Sequence, residues 1–240
     1  MEEALHRART CRGKEVIFLL SFFHVVDSLY DIRHVDTLAI VRAESLLGEM
    51  LGKEGIPQDE VLWRFSFMCY KRAKKMKDKK ERIKLYEQGM EYAKKAMEIN
   101  PKNPEAHFFY AVNMGRMGKE KGVLRSLFMV DDLKREAETV LSLDSLHVGA
   151  RLLLASIYYE LPGFAGGSVD KAIEYYKDAL RIDPNYTKAY IGLAKCYMKK
   201  KKKELAKEVL ERCLSVEKPT HPADFYLEDR PEALKLMEEL

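Results

Sequence analysis

The sequence predicts an all-α superhelix of stacked helical hairpins, and three observations carry that expectation. In the stretch DKAIEYYKDALRIDPNYTKAY (170–190), Ala172, Tyr176 and Ala179 lie four and three residues apart, on one stripe of a helix. Ala206 repeats Ala172 after 34 residues, in the helix that closes the following unit with Cys213. The composition, 47% hydrophobic and 33% charged with 13 glycines and 8 prolines, supplies a core under a charged exterior and leaves little for long linkers. A repeat stack of 240 residues is one continuous body rather than two globular domains.

Residues 1–57 read as N-terminal capping helices. From about Glu2 to Tyr30 one or two helices are expected, the second holding the apolar run VIFLLSFFHVV (16–26). Eleven residues fall short of the roughly 20 that span a hydrocarbon core, so this reads as a buried helix packed under the first hairpin. Glu2, Glu3 and Glu15 beside the basic residues argue against a signal peptide, and the chain reads as soluble and cytoplasmic. Asp36–Leu51 is the next helix, with Leu38, Val41, Leu46 and Leu47 toward the core and Gly52, Gly55 and Pro57 at its end.

From Pro57 a phase appears. Pro57, Pro101, Ser145, Pro184 and Lys218 occupy equivalent turns, spaced by 44, 44, 39 and 34 residues. In the helix after each turn Phe67, Ala111, Ala155 and Ala194 correspond, as do Tyr70, Met114, Tyr158 and Tyr197, and Trp63, His107, Arg151 and Tyr190. Residues 58–220 thus divide into four hairpins, about Gln58–Asn103, Pro104–His147, Val148–Tyr186 and Thr187–Lys218. Three of them are expanded, with the excess placed near Lys74–Leu85, Gly118–Val130 and Leu161–Ser168. Residues 221–240 read as a C-terminal cap: Pro219 and Pro222 break helix, Ala223–Glu228 crosses over, and Asp229 stands at the N-cap of a last helix with Pro231 in its first turn.

The 34-residue period and the alanine-and-tyrosine seams resemble a tetratricopeptide (TPR) repeat. More narrowly, LWRFSFMCY (62–70), AHFFYAVNMG (106–115), the long insert and LPGFAGGSVDKAIEYY (161–176) resemble the TRAP-transporter T component and the related regulator of microtubule dynamics family, over about residues 57–240. The resemblance implies an all-α TPR-like body with an enclosed groove or pore, protein association, apolar or lipid ligands in some members, and no catalysis. The T components are exported lipoproteins, whereas no lipobox precedes Cys11.

The first helix of a TPR-like hairpin faces the concave side. Carrying the phase forward places Arg64, Met68 and Arg72, then Phe108, Val112 and Arg116, then Leu152, Ser156 and Tyr159, then Ile191, Lys195 and Met198 on that groove. An apolar middle with cations at its rim suits a protein or peptide partner, the leading reading. The alternative is a carrier of an apolar or acidic, lipid-like amphiphile, transporter-associated if the T-component likeness extends to role. A third outcome has the N-terminal helix or residues 219–229 filling the groove. At the GFAGG turn, Gly166, Gly167 and Ser168 offer helix-start amides as an anion site; a tight packing turn competes with that reading.

The basic runs KRAKKMKDKKER (71–82) and Lys199–Lys203 lie at turns inside hairpins. They read as solvated edges, with an anionic surface as the alternative if both turns share one side of the stack. The overall balance of 42 basic against 38 acidic residues gives no case for nucleic acid. Abundant Lys and Glu resemble heat-adapted compositions. Cys11, Cys69, Cys196 and Cys213 form no metal-ligand spacing and read as core filler; the six histidines form no HExxH pair, with His107 a satisfied packing residue. No cofactor, metal or catalytic residue is expected.

Overall fold

A computed structural model describes residues 22–240, and every regular element among them is helical. The expected helix through residues 2–21, with His6, Cys11 and the front of the apolar run, lies outside the described residues. Helix α1 covers 22–31. It is followed by α2 (Ala39–Met50), α3 (Gln58–Lys75), α4 (Lys79–Ile99), α5 (Pro104–Lys121), α6 (Val123–Phe128) and α7 (Val130–Leu143). Then come α8 (Val148–Glu160), α9 (Val169–Ile182), α10 (Thr187–Lys199) and α11 (Lys203–Leu214). One turn, Pro222–Asp224, runs through a π-helical turn, Phe225–Asp229, into α12 (Arg230–Glu238).

Side-chain caps set where several helices begin. Asp78 accepts from the Glu81 amide (2.8 Å), Asn103 from that of Ala106 (3.1 Å), His147 Nδ1 from that of Ala150 (3.0 Å), and Ser168 from that of Lys171 (3.3 Å). Helices α3 and α4, α5 and α7, α8 and α9, and α10 and α11 pack as antiparallel pairs, and the pairs stack in order. Fully buried alanines mark the crossings: Ala73, Ala93, Ala111, Ala137, Ala155, Ala172, Ala194 and Ala206. They let backbones approach, while Tyr86, Tyr176, Tyr190 and Tyr197 fill the space between. Gly89 of α4 serves the same end, since a Cβ there would press on the Asn113 amide of α5. That amide donates to the Ser66 carbonyl (3.2 Å) and hydroxyl (3.1 Å) and to the Phe109 carbonyl (2.9 Å), joining neighbouring hairpins through a buried polar contact.

The extra residues take three forms. Around Lys74–Leu85 they lengthen helices, so that α3 and α4 reach 18 and 21 residues. Between α5 and α7 they form α6. Between α8 and α9 they form a 3-10 turn, Gly163–Ala165, closed by Gly166 at φ +86°.

Two sequence expectations are corrected. Leu38 and Val41 are 62% and 60% exposed; Leu47 is buried with Leu46 packed beside it as expected, but the rest of the α2 stripe is Ala39, Ala43 and Met50. Asp229 does not cap the last helix. Its backbone is already helical, and its carboxylate accepts from the Thr187 hydroxyl (2.7 Å) and Lys188 Nζ (3.0 Å), tying the C-terminal segment to the start of α10.

Candidate functional site

The first helix of each hairpin, α3, α5, α8 and α10, turns one face inward, and together these faces wall a cavity of about 1710 Å³. Phe67 and Tyr70 line it from α3, Phe108, Val112 and Arg116 from α5, Leu152, Ser156 and Tyr159 from α8, and Ile191 and Lys195 from α10. The cavity is larger than most small-molecule sites, which run to about 1,000 Å³.

The C-terminal segment crosses this inner side and closes the superhelix on itself. Asp224 takes both Arg33, just past α1, and Lys71 of α3, the latter at 2.8 Å to each carboxylate oxygen. Four residues on, one helical turn further, Glu228 pairs with Lys74, three residues beyond Lys71. Tyr226 stacks on His34 with ring centroids 4.9 Å apart, and His221 lies 3.7 Å from Asp31. A strap from the last elements is thus clasped to the first ones. Burial alone would raise the Asp224 carboxyl, but Lys71 and Arg33 outweigh it and hold the group well below the usual carboxylate range. Glu228 is likewise held low: burial opposes, and Lys71 and Lys74 prevail.

The clasp takes Arg33, Lys71 and Lys74, and Lys119, Lys188 and Lys195 pair with Glu160, Asp229 and Glu232, which leaves the exposed Lys75 and the half-buried Arg116. Among the described residues Arg116 has no carboxylate within 4 Å, although it is half-buried; its guanidinium sits 5.7 Å from the centre of the Tyr70 ring. Burial pushes the Tyr70 phenol up, yet Arg116, Lys74 and Lys71 together bring it below its ordinary value. The buried Tyr30 hydroxyl, on the same wall, has no hydrogen-bond partner among the described residues. Buried polar groups without partners are uncommon in folded proteins.

Eight of the twelve residues that the repeat phase placed on the groove line the cavity: Phe108, Val112, Arg116, Leu152, Ser156, Tyr159, Ile191 and Lys195. Arg64, Met68, Arg72 and Met198 do not. The face of α3 that Arg64 and Met68 occupy is covered by α1 and α2. Arg64 donates to Asp27 from Nε (2.9 Å) and Nη2 (2.8 Å) and to Glu60 from Nη1 (2.8 Å), with its guanidinium over Phe23 (4.4 Å) and Trp63 (4.1 Å). Met68 packs with Phe23, Val26 and Leu47. Arg72 is exposed, 3.8 Å from Glu44, and Met198 packs against the α10–α11 core. The inner face of α3 is therefore Trp63, Phe67, Tyr70 and Lys71, one residue back from the extrapolated phase. Asp224, Glu228 and Arg33 escaped the repeat reading because they lie outside the repeats. The signal was an acidic pair at i, i+4 facing a basic pair at i, i+3, visible only once the ends meet.

The Gly166–Ser168 turn offers no anion site. The Gly166 amide donates to Gly163 (3.1 Å), that of Gly167 to Pro162 (3.0 Å) and that of Ser168 to Tyr158 (2.9 Å), so none is free. Cys69, Cys196 and Cys213 are free, buried thiols. His107 is satisfied by Glu136 (2.7 Å) and the Pro101 carbonyl (3.0 Å). Among the described residues no cluster of His, Cys, Asp or Glu is arranged to hold a metal, and no helix is long and apolar enough to cross a membrane.

Comparison with known proteins agrees with this architecture. A tetratricopeptide repeat model matches residues 164–219. Regulator of microtubule dynamics protein 1 of Pongo abelii is 27% identical over 165 residues, which cover 61% of this chain and 52% of that protein. The protein of the same name in Caenorhabditis elegans is 24% identical over 173 residues, 65% of this chain and 75% of that one. The chain spans about half the length of the mammalian relatives it matches. Among solved structures, a thermophilic TPR protein in Thermus thermophilus superposes with a TM-score of 0.52 at 19% identity, over 75% of this chain and 89% of that chain. MamA from Desulfovibrio magneticus gives a TM-score of 0.49 at 15% identity over 82% and 95%. The first shows a shared fold. The model of the family described as regulator of microtubule dynamics protein 1-3 matches residues 22–161, more than half of the sequence, and the chain belongs to that family.

Proposed function

We propose that this TPR scaffold is a non-catalytic binding protein whose inner cavity takes an elongated amphiphile with an acidic end. The observation that carries the reading is Arg116, a half-buried cation without a carboxylate partner among the described residues, set on a wall where the apolar side chains of Phe108, Val112, Leu152 and Ile191 alternate with charged groups that are mostly paired. A cation left unpaired beside apolar surface is costly unless a guest supplies the anion. The strap adds the second part of the argument: with Asp224 and Glu228 drawn across to α3, a folded partner has no open concave face to grip, while a narrow, extended guest fits.

The leading alternative is the adaptor reading, in which that extended guest is a peptide segment of a protein partner. The TPR fold favours it, since such scaffolds present grooves to peptides. Denaturing mass spectrometry of the protein purified under native conditions separates the two. A stoichiometric lipid or fatty acid, lost in Arg116→Glu with helical content unchanged, supports the carrier. A co-purifying polypeptide, or a cavity empty in both proteins, overturns it.

A further inference from the structure

We infer that one rim of the superhelix is a docking surface for an anionic lipid bilayer. The inference is independent of what the cavity holds. Helices α3, α5, α8 and α10 run parallel through the stack, so all four intra-hairpin turns emerge on the same rim. Two of those turns present phenylalanines to solvent. Phe128, at the end of α6, is 81% exposed, and Phe164, in the 3-10 turn, is 91% exposed, the largest value among the described apolar side chains. Neither ring contributes to the core, and an aromatic ring held out at a turn tip is unfavourable in water.

The other two turns are cationic. Lys77, Lys79 and Lys80 flank the first and Lys201 and Lys202 the fourth, with Arg125 beside Phe128; all six are exposed and have no carboxylate within 4 Å among the described residues, while Asp78 and Glu81 beside the first three reduce that turn's net charge to about one positive. The opposite rim lacks this combination. Its turns, 100–103, 144–147, 183–186 and 215–218, carry Lys102 and Lys218 against Asp144, Asp183 and Glu217. Leu146 is 65% exposed there, without a cation cluster around it. The chain's near-neutral total therefore hides a polarised distribution. Aromatic tips flanked by lysines match a bilayer interface, where rings enter the headgroup level and each lysine near an anionic surface adds about 1 kcal/mol. A nucleic-acid surface would use the cations and leave the rings in water. The cavity runs through to both rims, and Lys119, Gly122, Leu127, Leu161 and Pro162 line it on this one, so docking there sets one end of the cavity against the lipid.

Vesicle co-sedimentation of the full chain tests the proposal. At about 0.1 M salt the protein should pellet with phosphatidylcholine vesicles containing about one third phosphatidylserine, and not with pure phosphatidylcholine; about 0.5 M salt should release it. Phe128→Ser with Phe164→Ser should weaken binding at least about tenfold. Lys77→Glu, Lys79→Glu and Lys80→Glu together should do the same, while Leu146→Ser on the other rim changes nothing. These positions are exposed, in turns or at the ends of helices, so circular dichroism should show the fold unchanged. Equal binding to neutral vesicles, binding indifferent to both rim variants, or retention on single-stranded RNA without vesicle binding would overturn it. A protein that docks but carries no small molecule sinks the cavity reading alone; one that carries a lipid but ignores vesicles sinks this one alone.

Discussion

Asp224→Asn is the most informative single substitution, because it opens the clasp without removing volume. The two cations it strands are deeply placed: the Arg33 and Lys71 side chains are 4% and 10% exposed, and Asp224 itself 23%. A surface pair contributes about 0–1 kcal/mol, whereas taking one partner from a buried pair costs about 3–5 kcal/mol. With two buried cations on a partly accessible carboxylate, the expected loss is about 3 kcal/mol at pH 7. The pH dependence gives an independent check. Lys71 and Arg33, outweighing burial, hold the folded carboxyl below its ordinary value, while in the unfolded chain it titrates near pH 4. The unfolded state therefore takes up the proton first as pH falls. The stability that Asp224 confers is complete above its unfolded value and is lost as pH drops toward the folded one. Urea denaturation followed by circular dichroism should show the gap between wild type and Asp224→Asn at pH 7, narrowing by pH 3.5. Adding Lys71→Met to Asp224→Asn should recover part of the loss, since one stranded charge disappears. A gap below about 0.5 kcal/mol at pH 7, or one that does not narrow in acid, refutes the clasp as a contributor to stability.

Three further outcomes follow from particular contacts. Gly167→Ala places a Cβ on the Leu161 carbonyl, a backbone atom that cannot rotate away, and should lower stability by about 2–3 kcal/mol by thermal melting; Gly163→Ala, in open space four residues earlier, should be close to neutral. Burial pushes Cys196 and Cys213 up to about 12 and Cys69 up to about 11, so peptide mapping after alkylation at pH 8 should find these three thiols protected, and fully labelled once urea unfolds the chain. Arg116→Ala removes a cation that favours the ionised Tyr70 phenol, so phenolate absorbance should show one tyrosine titrating later than in wild type.

The repeats were legible in the sequence because they obey a rule that local spacing can carry. Ala172, Tyr176 and Ala179 are the residues α9 buries, and the stripe from Tyr190 to Tyr197 lies in the core of α10, since period and side-chain size together leave one inward face. The same phase carried the inner wall through α5, α8 and most of α10. It failed at α3, where α1 and α2 cover the flank that in later hairpins faces a preceding repeat, turning Arg64 and Met68 into interior residues. Repeat logic assumes equivalent neighbours, and a first repeat does not have them. The sequence offers residues 219–229 as one of two segments to fill the groove, but it does not show their grip, because Arg33, Lys71 and Asp224 are brought together only by the curvature of the whole stack. The polarity of the two rims was hidden for a related reason: net charge sums over faces that the fold separates.

The closed shape changes how such a molecule comes apart. In an open solenoid each unit leans only on its neighbours, so unravelling starts at whichever end is weaker and the two ends know nothing of each other. Here Asp224 fastens the C-terminal segment to Arg33, just past α1, and Glu228 fastens it to Lys74 of α3. Clipping the last twenty residues should therefore loosen α1, some two hundred positions away, before it disturbs the central hairpins, and amide exchange should reveal a circle losing its seam rather than a ladder shedding its bottom rung.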